Sequence, residues 1–238
     1  MRLNISPAIL SSAAGIMLLW HAGESGAQPI LAIGPDADVT EEGLHRVEPS
    51  IMEAAWVLPD LDLSKYRRIL LMPTAVQFRD VRETSTYAQS KAGTIEFPLN
   101  DQRKEWFGTK WREAVDAEFA REESYEVYGG VGEDVLVVQG FLADIVSHFP
   151  PESSRSEYTY VQDPWEASVI LELRDATTAQ LLARTIDRRY GTGLLDIGEA
   201  WMRTDDLIER WAAVLTERLD QLTEIASPGG SRTPSWAR

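Results

Sequence analysis

Apolar and polar positions alternate from Glu166 to Arg174. Ala167, Val169, Leu171 and Leu173 fall on one parity, with Ser168, Ile170, Glu172 and Arg174 on the other. A period of two predicts a half-buried strand. Asp175 to Gln180 is a polar turn in which Asp175 is placed to bond its own backbone. Leu181 to Tyr190 returns as a second strand bearing Arg184, Asp187, Arg188 and Arg189, so the stretch predicts an antiparallel hairpin.

The pattern elsewhere predicts further elements. Residues 28–42 mix Pro29, Gly34 and Pro35 with acidic side chains and predict an extended lead-in, after which the folded body starts near Gly43. Val57 to Tyr66 predicts a loop with one turn. Arg68 to Pro73 is the short apolar run of a central strand, which Thr74 to Phe78 continues as an edge. Arg79 to Leu99 lacks periodicity and predicts a long loop. Asn100 is a sound N-cap for a helix reaching about Glu122, with Phe107, Trp111, Val115 and Phe119 recurring every fourth residue.

Tyr125 to Tyr128 predicts a brief strand, and Asp134 to Phe149 a long one. Val135, Val137, Phe141 and Ile145 are expected on one of its faces, and Leu136, Val138, Leu142 and Val146 on the other. Tyr158 to Val161 is expected to pair with the main sheet, and Gly191 to Ala200 to be a loop. Thr204 is expected to cap a last helix reaching Ile225, with Ile208, Trp211, Leu215, Leu219 and Leu222 as its buried stripe. The helix closes the domain at residue 226, and 227–238 read as a disordered tail. The order of elements predicts an α+β fold: a two-layer sandwich of a mixed, mainly antiparallel sheet with two long amphipathic helices on one face.

Two segments resemble a known family. Leu61-Asp-Leu-Ser-Lys-Tyr-Arg-Arg-Ile-Leu-Leu-Met-Pro-Thr-Ala-Val-Gln-Phe78 looks like the opening motif of the bacterial DUF3313 proteins, a family of unknown function. Glu172 to Thr177 and Leu181 to Arg189 look like the two arms of that family's hairpin, and the similarity extends over about Gly43 to Leu222. The resemblance implies an envelope protein with an α/β body and brings no catalytic residue with it. Many relatives look like exported lipoproteins; this chain has no cysteine to carry a lipid.

The N-terminus agrees with export. Arg2 precedes an apolar run from Ile5 to Trp20, and Ser25-Gly26-Ala27 supplies small residues for cleavage after Ala27, so residues 1–27 read as a signal peptide. The run is shorter than the ~20 apolar residues of a membrane span, and Ser6, Pro7, Ser11 and Ser12 interrupt it. The expected location is the periplasm, with no transmembrane segment in the mature chain. The absence of cysteine removes disulfides, thiolate nucleophiles and Cys-based metal sites. A net charge of −15 disfavours nucleic acid and anionic lipid as partners.

Candidate chemistry is sparse, and no cofactor is expected. His148 with Asp144 and Glu152 is a weak metal or acid–base constellation, in which strand parity would turn Asp144, Val146 and His148 to one side. The glycines of Gly129 to Gly132 and Gly191 to Gly193 lack dinucleotide spacing and suit turns. Asp60, Asp62 and Ser64 lack the glycine and distal glutamate of an EF-hand loop, so a capped turn is expected. The charge cluster of Arg174, Asp175, Asp187, Arg188 and Arg189 suits cross-strand ion pairing, or a recognition surface in which Arg188 or Arg189 holds an anion. Trp165 and Trp56 would join such a surface if exposed. The candidate binding residues are therefore Arg174, Arg188, Arg189 and Trp165, with no catalytic or metal residue assigned. The function expected is a non-enzymatic binding or assembly module with an envelope protein as partner; the alternative is a small hydrolase or metal-dependent enzyme using His148 and nearby carboxylates.

Overall fold

The hairpin predicted from the period-two pattern forms the middle of one large sheet in the computed structural model, which describes residues 30–31, 36–48, 50, 52–81, 95–150, 160–191 and 193–226. The strands are β1 (Ile30–Leu31), β2 (His45–Glu48), β3 (Ala54–Val57), β4 (Arg68–Leu71), β5 (Ala75–Phe78), β6 (Glu126–Val127), β7 (Val135–Ser147), β8 (Tyr160–Gln162), β9 (Trp165–Asp175), β10 (Leu181–Tyr190) and β11 (Leu194–Asp196). The helices are α1 (Asp101–Phe119), α2 (Ile197–Met202) and α3 (Thr204–Ala226). The sheet runs β1-β2-β3-β10-β9-β7-β4-β6, and β5 also pairs with β7. Pairing is antiparallel from β1 to β7 and parallel where β4, β5 and β6 join, so the α+β class and the mixed, mainly antiparallel sheet hold.

Three local expectations are corrected. The first strands of the body are β2 and β3, ahead of Arg68, so Trp56 lies within a strand rather than before one. Tyr160–Gln162 pairs with Leu194–Asp196 in a separate two-stranded ribbon, not with the main sheet. Accordingly 191–200 is not a plain loop: it holds β11 and the start of α2, which Asp196 caps by accepting from the Gly198 amide at 2.9 Å. Elements this short carry too few residues for a period to show.

The expected faces of β7 hold only for its first half. Leu136, Val138 and Leu142 join the core, but register shifts between Ala143 and Val146, where Asp144 has φ +54°. One extra residue inverts the parity, so Ile145 and Phe149 turn into the core that even-numbered residues occupied before it.

Asn100 caps α1 by accepting from the Arg103 amide at 2.9 Å. The helix ends in tight i→i−3 bonds from Arg121 to Glu118 and Glu122 to Phe119. Phe107, Trp111, Val115 and Phe119 are buried as their spacing predicts, as are Ile208, Trp211, Leu215, Leu219 and Leu222 of α3. Thr216 donates to Glu118, and Tyr125 bonds Thr223 at the same 98-residue separation, so the two long helices run parallel. Thr204 does not act as the expected cap. Its hydroxyl accepts from the Trp165 indole at 3.1 Å and donates to the Ala200 carbonyl, because α2 runs almost directly into α3 and leaves no free helix start.

Close approach of α3 to the sheet depends on Gly140, where a Cβ would stand 2.6 Å from Leu215 Cδ1. Gly140→Ala is therefore expected to cost about 1–3 kcal/mol by overpacking, measured by urea denaturation. An unchanged midpoint would mean that Leu215 swings aside freely.

The hairpin turn is built on Asp175, whose carboxylate accepts from the amides of Thr177 and Thr178, both at 2.9 Å, and from the Tyr66 hydroxyl at 2.8 Å. Burial pushes this carboxyl up, but the Thr178 amide, the Tyr66 hydroxyl and the Thr177 amide outweigh it and hold it well below the usual carboxylate range. Arg68 lowers Asp134, and Arg79 lowers Asp144. Depressed groups of this kind stabilise the fold above the unfolded pKa of about 4 and lose that contribution as pH falls through the folded value. Asp220 has the opposite sign, since burial, Glu122 and Glu224 raise it. With Glu42 and Asp62, whose carboxyls local hydrogen bonds also lower, five lowered groups against one raised predict a melting temperature that falls from about pH 5 to about pH 3. Asp175→Asn should flatten that profile, and a profile identical to the parent's would remove Asp175 from the account.

Candidate functional site

Strand parity divides the sheet into two faces. Odd residues of β9 and β10 turn toward the helices; even residues form the other face, over which no helix lies among the described residues. Register places Ala54, Ile186, Ile170, Phe141 and Ala75 in one row across five strands of that open face. Ile170, Ile186 and Phe141 are half-buried there, with charged residues on both sides.

On one side Glu172 is the hub. It accepts from Arg174 at 2.7 Å and from Arg184 Nε at 2.8 Å, and Arg174 also reaches the Ala179 carbonyl at 3.3 Å. The next positions are Trp56 and Arg46, whose guanidinium lies 5.4 Å from the Trp56 ring centre. On the other side Arg79 donates to Asp144 at 2.7 Å and to Glu96 at 2.6 Å, with Glu166 at 3.5 Å. Arg188 pairs with Glu166, stands 3.8 Å from Asp144, and gives its amide to Glu53 at 2.9 Å. Three carboxylates (Asp144, Glu96, Glu166) thus surround two guanidinium groups (Arg79, Arg188). Each arginine is held by at least two acceptors and is pre-set rather than free, so the face presents fixed charge around an apolar centre.

The four expected binding residues do not converge. Arg174 and Arg188 lie on the open face, on opposite sides of the apolar row. Arg189 has the opposite parity and pairs with Asp187 at 3.2 Å. Trp165 is 1% exposed and packs against Phe107, Phe149 and Trp201, with ring centres 4.9, 5.4 and 6.1 Å away. It is a core residue, because it begins a strand whose odd positions all face the helices. Of the hairpin charges singled out, only Arg188 makes the expected cross-strand pair, with Glu166; Arg174 pairs with Glu172 and Arg189 with Asp187, each two residues away on its own strand. Asp187 serves a different purpose from the others: it makes a two-point contact with Arg218 of α3 at 2.8 and 2.9 Å, tying helix to sheet.

The His148 constellation is not assembled. Asp144 sits in the bulge and is taken by Arg79, whereas His148 Nδ1 donates to the Asp163 carbonyl at 2.7 Å. The even spacing that would have aligned them is broken by the extra residue. Glu152 lies outside the described residues, and among the described residues no group of three His, Asp or Glu side chains is arranged to hold a metal. Asp62 accepts from the Ser64 amide at 2.9 Å, the capped turn expected there.

A small cleft of about 50 Å³ lies between the end of β5 and the start of α1, lined by Phe78, Arg79, Phe97, Leu99, Lys104 and Ser147. Ligand sites for metabolites usually span several hundred Å³. Sequence reasoning missed Arg79, Glu53 and Glu96, which are remote along the chain from the hairpin they complete. Ile170, apolar on an otherwise polar parity, was the one signal of the open face's apolar row.

No family model matches the chain, and no curated protein does. Among solved structures it is similar to a PelC dodecamer from Paraburkholderia phytofirmans, at 12% identity and a TM-score of 0.29 over 68% of this chain and 97% of that one. It is also similar to a neuraminyllactose-binding hemagglutinin homolog from Helicobacter pylori, at 10% identity and a TM-score of 0.32 over 70% of this chain and 88% of that one. Both scores fall below those of a shared fold, so function is read from this chain's own residues.

Proposed function

We propose that this chain is an exported, non-enzymatic binding or assembly module of the bacterial envelope. Residues 1–27 direct it to the periplasm, and the open face of the sheet receives a partner protein. The observation that carries the reading is the half-buried row of Ile186, Ile170 and Phe141 between two sets of fixed ion pairs. An apolar centre with a satisfied polar rim is the arrangement of protein–protein contact surfaces. The excess of carboxylates over guanidinium groups around Arg79 and Arg188, and the net charge of −15, favour a partner with a basic surface. The resemblance of the 61–78 and 172–189 motifs to DUF3313 proteins supports export.

The test is a photo-crosslinking amino acid placed at Ser168, beside the apolar row, in intact cells. Capture of one defined envelope protein from Ser168, but not from Glu209 on α3, is expected, together with its loss in Ile170→Glu. Capture from Glu209 alone, or capture unaffected by Ile170→Glu, would move the partner off this face. N-terminal sequencing of the periplasmic protein should begin at Gln28; retention of residues 1–27 would refute the cleavage.

A further inference from the structure

One edge of the main sheet is left open in a specific way. Glu126 and Tyr128 donate their amides to the carbonyls of Arg67 and Ile69. Met72 instead donates to Val138 of β7, as Arg68 does to Asp134. The even residues of β4 therefore bond inward to β7, and the odd residues bond outward to β6. β6 pairs with β4 only as far as Ile69 opposite Val127. The next outward residue is Leu71, whose N–H and C=O have no backbone partner among the described residues.

Side chains around this gap are apolar and exposed. Val127 is 53% exposed and Val131 65%, and Met72 and Tyr128, the residues that follow β4 and β6, have more than a third of their surface in solvent. The Tyr128 ring is held in place, with the Arg68 guanidinium 4.0 Å from its centre and Gly130 so near that a Cβ there would stand 2.7 Å from the ring. Arg68 is itself paired with Asp134 at 2.5 Å. The rim is acidic: Glu123, Glu126 and Glu133 are exposed and have no ion-pair partner among the described residues.

We propose that this edge accepts an extended segment of a partner protein by strand addition. The segment bonds to Leu71, lays apolar side chains against Val127, Met72 and Val131, and carries lysine or arginine at its ends. Strand addition draws affinity from backbone hydrogen bonds and specificity from alternate side chains. An open edge is otherwise a liability that proteins cover or blunt. Charge selects the occupant. A second copy of this chain would set Glu123, Glu126 and Glu133 against their own equivalents at the seam, whereas a basic-flanked strand neutralises them. The row of Ile186, Ile170 and Phe141 plays no part in this contact, so the two surfaces are tested independently.

The probe is a fluorescein-labelled ten-residue peptide of alternating valine and threonine with two lysines at each end, titrated against the purified protein by fluorescence anisotropy. Saturable binding is expected, weakening as salt rises. Leu71→Pro removes an N–H that no other strand uses, and should weaken binding by about tenfold or more. Val127→Lys, on an exposed side chain that the fold does not need, should do the same by repelling the basic ends. Ile170→Glu, on the open face, should leave peptide binding unchanged. The proposal is overturned if the peptide does not bind, or if Val127→Lys binds as tightly as the parent. It is equally overturned if a glutamate-flanked peptide binds as well as the lysine-flanked one. Concentration-dependent dimerisation that Val127→Lys abolishes would make a second copy the occupant and overturn the assignment of a basic partner.

Discussion

Arg218→Met is expected to destabilise the protein by about 3–5 kcal/mol, the usual cost of removing one partner from a buried ion pair. Arg218 and Asp187 are each 4% exposed. Their contact is bidentate, and Gln221 and Glu217 take the two hydrogens of Nη1 at 2.8 and 2.9 Å. Burial alone would lower the Arg218 pKa, but the hydrogen bond and charge of Asp187 reverse that and raise it. Removing the guanidinium leaves a carboxylate in the interface between α3 and β10. Arg189 remains 3.2 Å from that carboxylate and compensates in part, so a value near the lower end is expected. Asp187→Leu combined with Arg218→Met should recover most of the loss, since no unpaired charge is then buried. Urea denaturation of the two single variants and the double variant measures this. A single-variant loss below about 1 kcal/mol would show that water reaches the pair.

Trp165→Ala should cost about 3–5 kcal/mol, the range for a large aromatic removed from a core. The indole touches aromatic rings from α1, α2 and the segment just after β7, so its loss opens one cavity beneath all three at once. Trp165→Phe isolates the polar contribution. It keeps an aromatic ring but leaves the Thr204 hydroxyl without the indole donor, which predicts a smaller loss of about 1–2 kcal/mol. Both are read from thermal and urea unfolding. If Trp165→Ala unfolds like the parent but loses partner binding, Trp165 belongs to the contact surface after all.

The contrast between Trp165 and its neighbours shows where sequence reasoning stopped. The alternation from Ala167 to Leu173 was legible because a strand with one face on a core repeats every second residue. Trp165 has the same parity, but the Asp163-Pro164 dipeptide before it reads as a loop and hides the fact that the strand has begun. The helical stripes were legible for a similar reason: Phe107 to Phe119 and Ile208 to Leu222 recur at the helical repeat, and all are buried. The bulge at Asp144 was not legible. Nothing in Ala143-Asp-Ile145 marks an inserted residue, and one insertion turned Ile145 into the core and separated Asp144 from His148.

The candidate surfaces divide in the same way. Arg174 and Arg188 could be found because the hairpin that carries them is local, with a turn defined by Asp175. The partners that fix them include Glu53, Glu166 and Asp144, brought together by register across several strands.

By itself the sequence determined what depends on near neighbours: the hairpin and its turn, the two long helices with their stripes and the Asn100 cap, the α+β class, and the exclusion of cysteine chemistry. Local hydrogen bonding and the periodic burial of side chains act over a few residues, so their signals survive in one dimension. Tertiary structure alone decided strand order, the bulge, the Asp187–Arg218 tie and, among the described residues, the open face and the unpaired edge at Leu71. Those depend on contacts between residues far apart in the chain, such as Glu53 and Arg188 at a separation of 135, and no local period encodes such a distance.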